Sequence, residues 1–341
     1  MKRRGVLTGV AAGLLLSLAA CGSGSSGSTA SGGALPTVKI GKASNTEDLL
    51  AVELASREGF FKSAGVNVQP VLLSGSSVAN AALEGGSVQF TLASATSALL
   101  ASGKGIQLQA VGAVDQSNPA QLVVSRKWVQ EHHLSPSAPL KTRMSGLAGT
   151  TFATLSTSDS SVMTKLEKDA GVSKSSIHSV KISSEAAMLS AVQHGAAQEF
   201  IASPPTSNLA VANGYGVVLA SAAQLAHASD EEYNVLLTTP DYAKQNPKIV
   251  AAVTSAISKA LALMSQQATS ALTLVQGRFP SLSPAVIRSS LASIKFAPGM
   301  RQDQQRWNDA LAFAKEAGVV KSGHQVDVRE GGIWTNRYLG K

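Results

Sequence analysis

The sequence predicts an α/β protein with mainly parallel sheets crossed over by helices, and three observations predict it. Short apolar runs alternate with helical stripes as βαβαβαβ over residues 37–115, the alternation recurs over residues 121–221, and polar caps stand at the strand-to-helix turns. Parallel strands need a crossover connection, usually a helix, so this order reads as βαβ units.

Each element has its own signal. "TVKIG" (37–41) reads as a strand, and Ser44-Asn45-Thr46-Glu47 as an N-cap with Glu three residues on; Leu50, Ala51, Leu54 and Ala55 then form a helical stripe ending at Gly59. "VNVQPVLL" is a strand, "SGSS" (74–77) a cap, "VANAALEGG" a short helix closed by Gly85-Gly86, "VQFTL" a strand, "ASATSALLASG" a helix and "IQLQAVGAV" a strand. Farther on, "AQLVVSRKWV" and "TTFATL" read as strands, and "STSDSSVMTKLEKDAG" as a turn with a Ser/Asp-rich cap leading into a helix. "SVKIS", "EFIAS" and "GVVLAS" read as strands, with "SEAAMLSAVQHGA" as a helix between the first two. Beyond them, Asn246-Pro247 opens a long helix to Gln266, Ser283-Pro284 opens another, and Met300–Ala317 gives a third, each with one apolar face for the outside of a lobe.

The first 35 residues belong to no such unit. Met1-Lys2-Arg3-Arg4 is positive, Val6–Ala20 is apolar apart from Thr8 and Ser17, and small residues precede Cys21, the only cysteine. This pattern is an export signal, too short for a spanning helix of about 20 residues. Leu18-Ala19-Ala20-Cys21 resembles the bacterial lipobox, which implies cleavage at residue 20 and a diacylglyceryl group on Cys21. Two acyl chains anchor stably where one is marginal. Residues 21–35 are rich in Gly and Ser and read as a flexible linker.

Composition excludes several classes. Without Lys2, Arg3 and Arg4, the 29 Lys and Arg become 26 against 21 Asp and Glu, and aromatics make up 4%. Scattered mild basicity without aromatic interleaving does not make a nucleic-acid groove. Adjacent His132 and His133 point apart, with no further ligands at metal spacing, so no metal and no cofactor are expected. No G-x-S-x-G elbow stands in the chain, and a catalytic role is not expected.

Four stretches carry a family resemblance: "AVELASREGFFKSAGVNVQPVLLSGSSVANAALEGGSVQFTLAS", "LAGTTFATLSTSDSSVMTKLEKDAGV", "YNVLLTTPDYAKQNPKIV" and "VDVREGGIWTNRYL". Between Val38 and Leu339 the sequence resembles the solute-binding proteins of ABC importers for nitrate, sulfonate and taurine, a family with a thiamine-precursor branch. The resemblance implies a two-lobed periplasmic-binding-protein fold with two hinge crossovers. Lobe I would hold residues 36–116 and 234–341, lobe II residues 117–233, and the hinge strands would lie near "VGAVDQ" and "YNVLL". The synthase branch that shares this fold carries a cysteine-rich segment, which the single Cys21 excludes.

Matching the family's ligand-contacting turns gives Asn45 and Thr46, Gly75, Ser76 and Ser77, Ser94 and Ala95, Asp115 at the hinge, and Thr157, Ser158 and Asp159; Ser203 borders the same rim. Taken alone, each polar residue reads equally as a helix cap or turn residue. The chain departs from the family at Glu199–Pro205, which offers no aromatic shelf, and no matched turn holds Arg. Hydroxyls and helix N-termini suit a small sulfonate or similar organic anion, with mild steering from Lys42; a neutral heterocycle such as a thiamine precursor is the alternative. The expected protein is a monomeric extracytoplasmic receptor, anchored to the membrane through Cys21, that delivers its solute to a permease and ATPase. A tethered sensory protein of the same fold is the second alternative.

Overall fold

The structure is a computed structural model that describes residues 34–173, 176–321, 323 and 325–340. The export signal, Cys21 and most of the linker lie outside the described residues.

The chain first lays down β1 (Thr37–Lys42), a 3₁₀ turn over Glu47–Leu50, α1 (Ala51–Arg57), α2 (Phe60–Ser63), β2 (Asn67–Leu72), α3 (Ser76–Glu84), β3 (Phe90–Ser94), α4 (Ala95–Ser102) and β4 (Gln109–Asp115). It then crosses to a second unit: β5 (Gln121–Ser125), α5 (Arg126–Glu131), α6 (Leu140–Ser145), β6 (Thr151–Thr154), α7 (Thr157–Ala170), β7 (His178–Lys181), α8 (Glu185–Gln193), β8 (Glu199–Ala202), α9 (Thr206–Ala212) and β9 (Gly216–Ser221). It returns through β10 (Asn234–Thr238) and ends in α10 (Pro240–Gln245), α11 (Pro247–Ser265), α12 (Thr269–Arg278), α13 (Pro284–Ser293) and α14 (Gln304–Glu316).

Two five-stranded sheets result, ordered β2-β1-β3-β10-β4 and β7-β6-β8-β5-β9. In each, four strands run one way and one runs against its neighbours, β10 in the first and β5 in the second. The reversed strand in each is the one that follows a crossover between the sheets.

The second sheet shows why its strands read as continuous apolar runs. Leu122, Val124, Phe152 and Ile201 enter one core with Val162 and Leu166 of α7, while Val123, Ala153, Phe200 and Ala202 enter another with Met188 and Val192 of α8. Successive strand side chains point to opposite faces, and both faces are covered. The first sheet is likewise packed under helices, with Ile40, Phe90, Val111 and Leu236 in one core. Helix α11 is long and apolar enough to cross a membrane by composition, but Val250, Val253, Ile257 and Leu261 bury one face in that core.

Three expectations change. The run "AQLVVSRKWV" is a strand only to Ser125, whose hydroxyl accepts the Trp128 N–H at 3.1 Å and starts α5. Met300 has a φ of 57°, so the last helix begins at Gln304, capped by Asp303 through the Gln305 and Arg306 N–H groups. That helix is also no outer cover of one lobe: Trp307, Ala310 and Ala314 lie in the first core, and Phe313 and Ala317 in the second.

Candidate functional site

Between the sheets lies a cavity of about 60 Å³. Its first wall comes from the turn after β1 (Ser44, Thr46, Asp48), from Gly75 and Ser76 before and at the start of α3, from Ser94 before α4, and from Tyr233 and Asn234 at the return crossover. Its second wall comes from Ser156, Ser158 and Asp159 around the start of α7, Glu185 and Met188 of α8, and Ser203 after β8. Strand ends and helix starts meet at this rim because each βαβ unit turns there.

Local chemistry fixes these turns. Ser94 Oγ accepts the Ser97 N–H at 3.3 Å, and Ser76 Oγ accepts the Ser94 N–H at 3.2 Å. Around α7 a capping box forms: Ser156 Oγ accepts the Asp159 N–H at 3.1 Å, and Asp159 Oδ2 accepts the N–H groups of Ser156 at 2.8 Å and Leu155 at 3.1 Å. Gly75, at φ 121° and ψ 144°, holds a backbone that a side chain makes costly.

A buried polar group joins the first wall to Asp115 behind it. Asn234 Nδ2 donates to Asp48 Oδ2 at 2.7 Å and to Asp115 Oδ2 at 3.2 Å, while its backbone N–H donates to Asp115 Oδ1 at 2.7 Å. Asp48 Oδ1 accepts the Leu49 N–H at 3.1 Å. Burial raises both carboxyl pKa values, and the neighbouring Asp48 charge raises that of Asp115 further. Tyr233 is buried against Ser158 and Ser203 of the opposite wall, and burial also raises its hydroxyl pKa.

The acids of the second wall are shifted in the same sense. Burial lifts Asp159 to about 6. Glu185, beside the Asn45 backbone, rises to about 7 through burial and then through repulsion from Asp48 and Asp159.

The expected site residues divide. Thr46, Gly75, Ser76, Ser94, Ser158, Asp159 and Ser203 line the cavity, whereas Asn45, Ser77, Ala95, Asp115 and Thr157 do not. Asn45 Oδ1 accepts from Lys42 Nζ at 3.0 Å, and the Ala95 N–H donates to Tyr233 O at 2.7 Å. Ser77 and Thr157 pair across the rim at 3.3 Å and line an adjoining groove instead. Asp115 is wholly buried in β4 behind Asn234, so it does not face a ligand. Lys42, expected to steer an anion, is 2% exposed and paired with Glu53.

Asp48, Glu185, Met188, Tyr233 and Asn234 were not foreseen. For Glu185 the signal was present, since Ser184 caps α8 through the Ala187 N–H at 3.2 Å, just as Ser94 and Ser156 cap theirs. Tyr233 and Asn234 stand in the "YNVLL" hinge stretch itself. Among the described residues no group of three or more His, Cys, Asp or Glu could hold a metal ion.

The NMT1/THI5-like family model matches residues 47–271, which hold the whole second sheet, every strand of the first except β1, and most of the cavity lining. The chain belongs to this family. No curated protein matches it significantly. A solved structure from Bordetella bronchiseptica RB50 superposes with a TM-score of 0.74 at 18% identity, covering 89% of this chain and 95% of that one. The periplasmic aliphatic sulphonate binding protein of Escherichia coli gives 0.65 at 20% identity, over 89% and 99% of the two chains. A Candida albicans protein described as having the generic periplasmic binding protein fold gives 0.65 at 15% identity, over 86% and 93%. This NMT1/THI5-like chain therefore has the periplasmic-binding-protein fold, with two sheets joined by two crossovers.

Proposed function

We propose that this protein is an extracytoplasmic solute-binding protein, held to the membrane by lipid on Cys21, that closes two lobes over a compact molecule and hands it to an ABC permease and its ATPase. The boundaries follow the crossovers: residues 36–116 and 234–341 form lobe I and residues 117–233 lobe II. One observation carries the reading, the cavity between the sheets to which both contribute polar side chains. Small-molecule sites favour such concave interfaces with a few placed polar groups.

A solute that presents N–H donors, as a neutral heterocycle can, fits this lining better than a sulfonate does. The Escherichia coli relative binds aliphatic sulphonates by its name. Here Asp48, Asp159 and Glu185 line the cavity, and among its described lining residues there is no Lys or Arg. A sulfonate would meet carboxyl groups in place of the cationic partners that oxyanions favour.

Mass spectrometry of small molecules released when the natively purified protein is denatured tests the reading. One stoichiometric compound, absent from a variant whose cavity is filled by Ser203→Trp, is the expected result. A native mass equal to the bare chain, together with no ligand-induced change in stability across a solute library, would count against it.

A further inference from the structure

Three carboxyl groups enter one cavity from three elements: Asp48 from the turn after β1, Asp159 from the first turn of α7 and Glu185 from the start of α8. The cavity stands as a ligand site on its position between the sheets and its polar lining from both, whatever the charge of that lining. Its charge says what the ligand must supply.

Each acid's other contacts decide how much acceptor capacity is left. Both oxygens of Asp48 are engaged, by the Leu49 N–H and by Asn234, and the Thr46 and Asp115 side chains bond to the same carboxyl. Asp159 Oδ2 takes both capping bonds, and Oδ1 takes neither. Glu185 interacts with the Asn45 backbone and feels the charges of Asp48, Asp159 and, to a smaller extent, Lys42. Lys42 offsets little, because its ammonium already serves Glu53 and Asn45. Hydroxyls of Thr46, Ser76, Ser158 and Ser203, among others, also line the cavity and can accept or donate. Three carboxyl groups with no Lys or Arg among the described lining residues leave the cavity short of positive charge, and Glu185 feels both Asp48 and Asp159 beyond the effect of its burial.

Resting on the solute-binding reading above, we infer that the captured solute is a compact cation that directs N–H donors of an amidinium, guanidinium or ammonium group at Asp159 and Glu185. A positive centre between the two lobes favours closure, because it attracts Asp48 on one wall and Asp159 and Glu185 on the other at once. An anion of the same size meets the reverse field. The small cavity sets the scale, since about 60 Å³ accommodates a group of a few heavy atoms with its donors close to the walls.

The test uses two pairs of planar ions with the same heavy-atom count and opposite charge: acetamidinium against acetate, and guanidinium at low millimolar concentration against nitrate. Each is titrated into the processed protein at pH 7.5 and constant ionic strength, with binding read by amide chemical-shift changes. The expected result is saturable binding of both cations at least tenfold tighter than their anionic partners, with shifts at Ser94, Ser158 and Asn234. Glu185→Gln should weaken acetamidinium about tenfold while leaving the melting temperature at pH 5 unchanged, which separates lost binding from lost folding. Tighter binding of acetate or nitrate, or unchanged acetamidinium affinity in Glu185→Gln, overturns the inference. Release of a bound sulfonate from native protein would also overturn it while leaving the solute-binding reading standing. If no ion shifts the cavity resonances and no small molecule is released, both readings fall.

Discussion

Asp115 illustrates what one residue can and cannot reveal from sequence. Its place at the end of a hinge strand was legible in "VGAVDQ", but β4 is buried on both faces except at Gln109, so alternation of polar and apolar residues could not say which way the carboxyl points. The structure turns it to Asn234 and Asp48, away from the cavity. With its folded pKa raised well above the ordinary value, Asp115 favours the folded state at low pH and withdraws that contribution as pH rises. Asp115→Asn should therefore lose less stability than wild type between pH 5 and pH 8 in urea titrations; an unchanged pH dependence would refute the raised pKa of Asp115. Cys21 gives a second residue-scale prediction. Cys21→Ser should move the protein from the membrane fraction to the medium or leave it as precursor, and membrane fractionation like wild type would remove the lipid anchor.

At the scale of elements, helix starts were legible where Ser stands before them: Ser94, Ser156, Ser184 and Ser283 each accept a backbone N–H from the first turn of the helix they precede. Thr239 and Asp303 cap in the same way but were not read from the sequence, and the cap expected at "SGSS" makes no side-chain hydrogen bond. The failures have physical reasons as well. At "SNTE" the expected Ser44 cap does not form, because Ser44 Oγ pairs with Thr46 Oγ1 at 2.8 Å and the turn over Glu47–Leu50 is 3₁₀. At "AQLVVSRKWV" an apolar run conceals a strand-to-helix switch whose only sign is Ser125. Two substitutions test the turns that build the site. Ser156→Ala removes the α7 cap and should cost about 1 kcal/mol. Gly75→Ala forces a side chain into a glycine-only conformation and should cost about 1–3 kcal/mol. Both are read by urea unfolding, and a neutral Gly75→Ala would mean the turn relaxes without strain.

For the molecule as a whole, the buried acids set the pH response. Glu185 at about 7, Glu199 and Glu232 at about 8 and Glu47 at about 9 all lie above their ordinary value, chiefly through burial. The folded protein thus binds more protons than the unfolded chain from about pH 4.5 upward. Stability from these groups is full below that point and declines as pH rises through about 7 to 9, by about 1.4 kcal/mol per pH unit for each proton of difference. Urea midpoints should be lower at pH 9 than at pH 6, and the opposite trend would contradict the burial of these carboxyl groups. The two-sheet architecture was legible because the βαβ series recurs and the family resemblance implied the crossovers between them, whereas the sign of the cavity's charge was not. It depends on Asp48, Glu185 and Asn234, which only the folded chain brings together.

That charge also links binding to shape. Closing an empty cavity takes Asp159 and Glu185 further from water with hydrogen-bond partners but no lining cation, while a bound cationic solute compensates them, so ligand and closure favour each other. Small-angle X-ray scattering on protein freed of its ligand by dialysis, and again after the compound released from native protein is added back, tests the claim that the cleft is a closing solute site. A larger radius of gyration is expected without ligand, and a smaller one once ligand is bound. Stoichiometric binding with an unchanged scattering curve would contradict it.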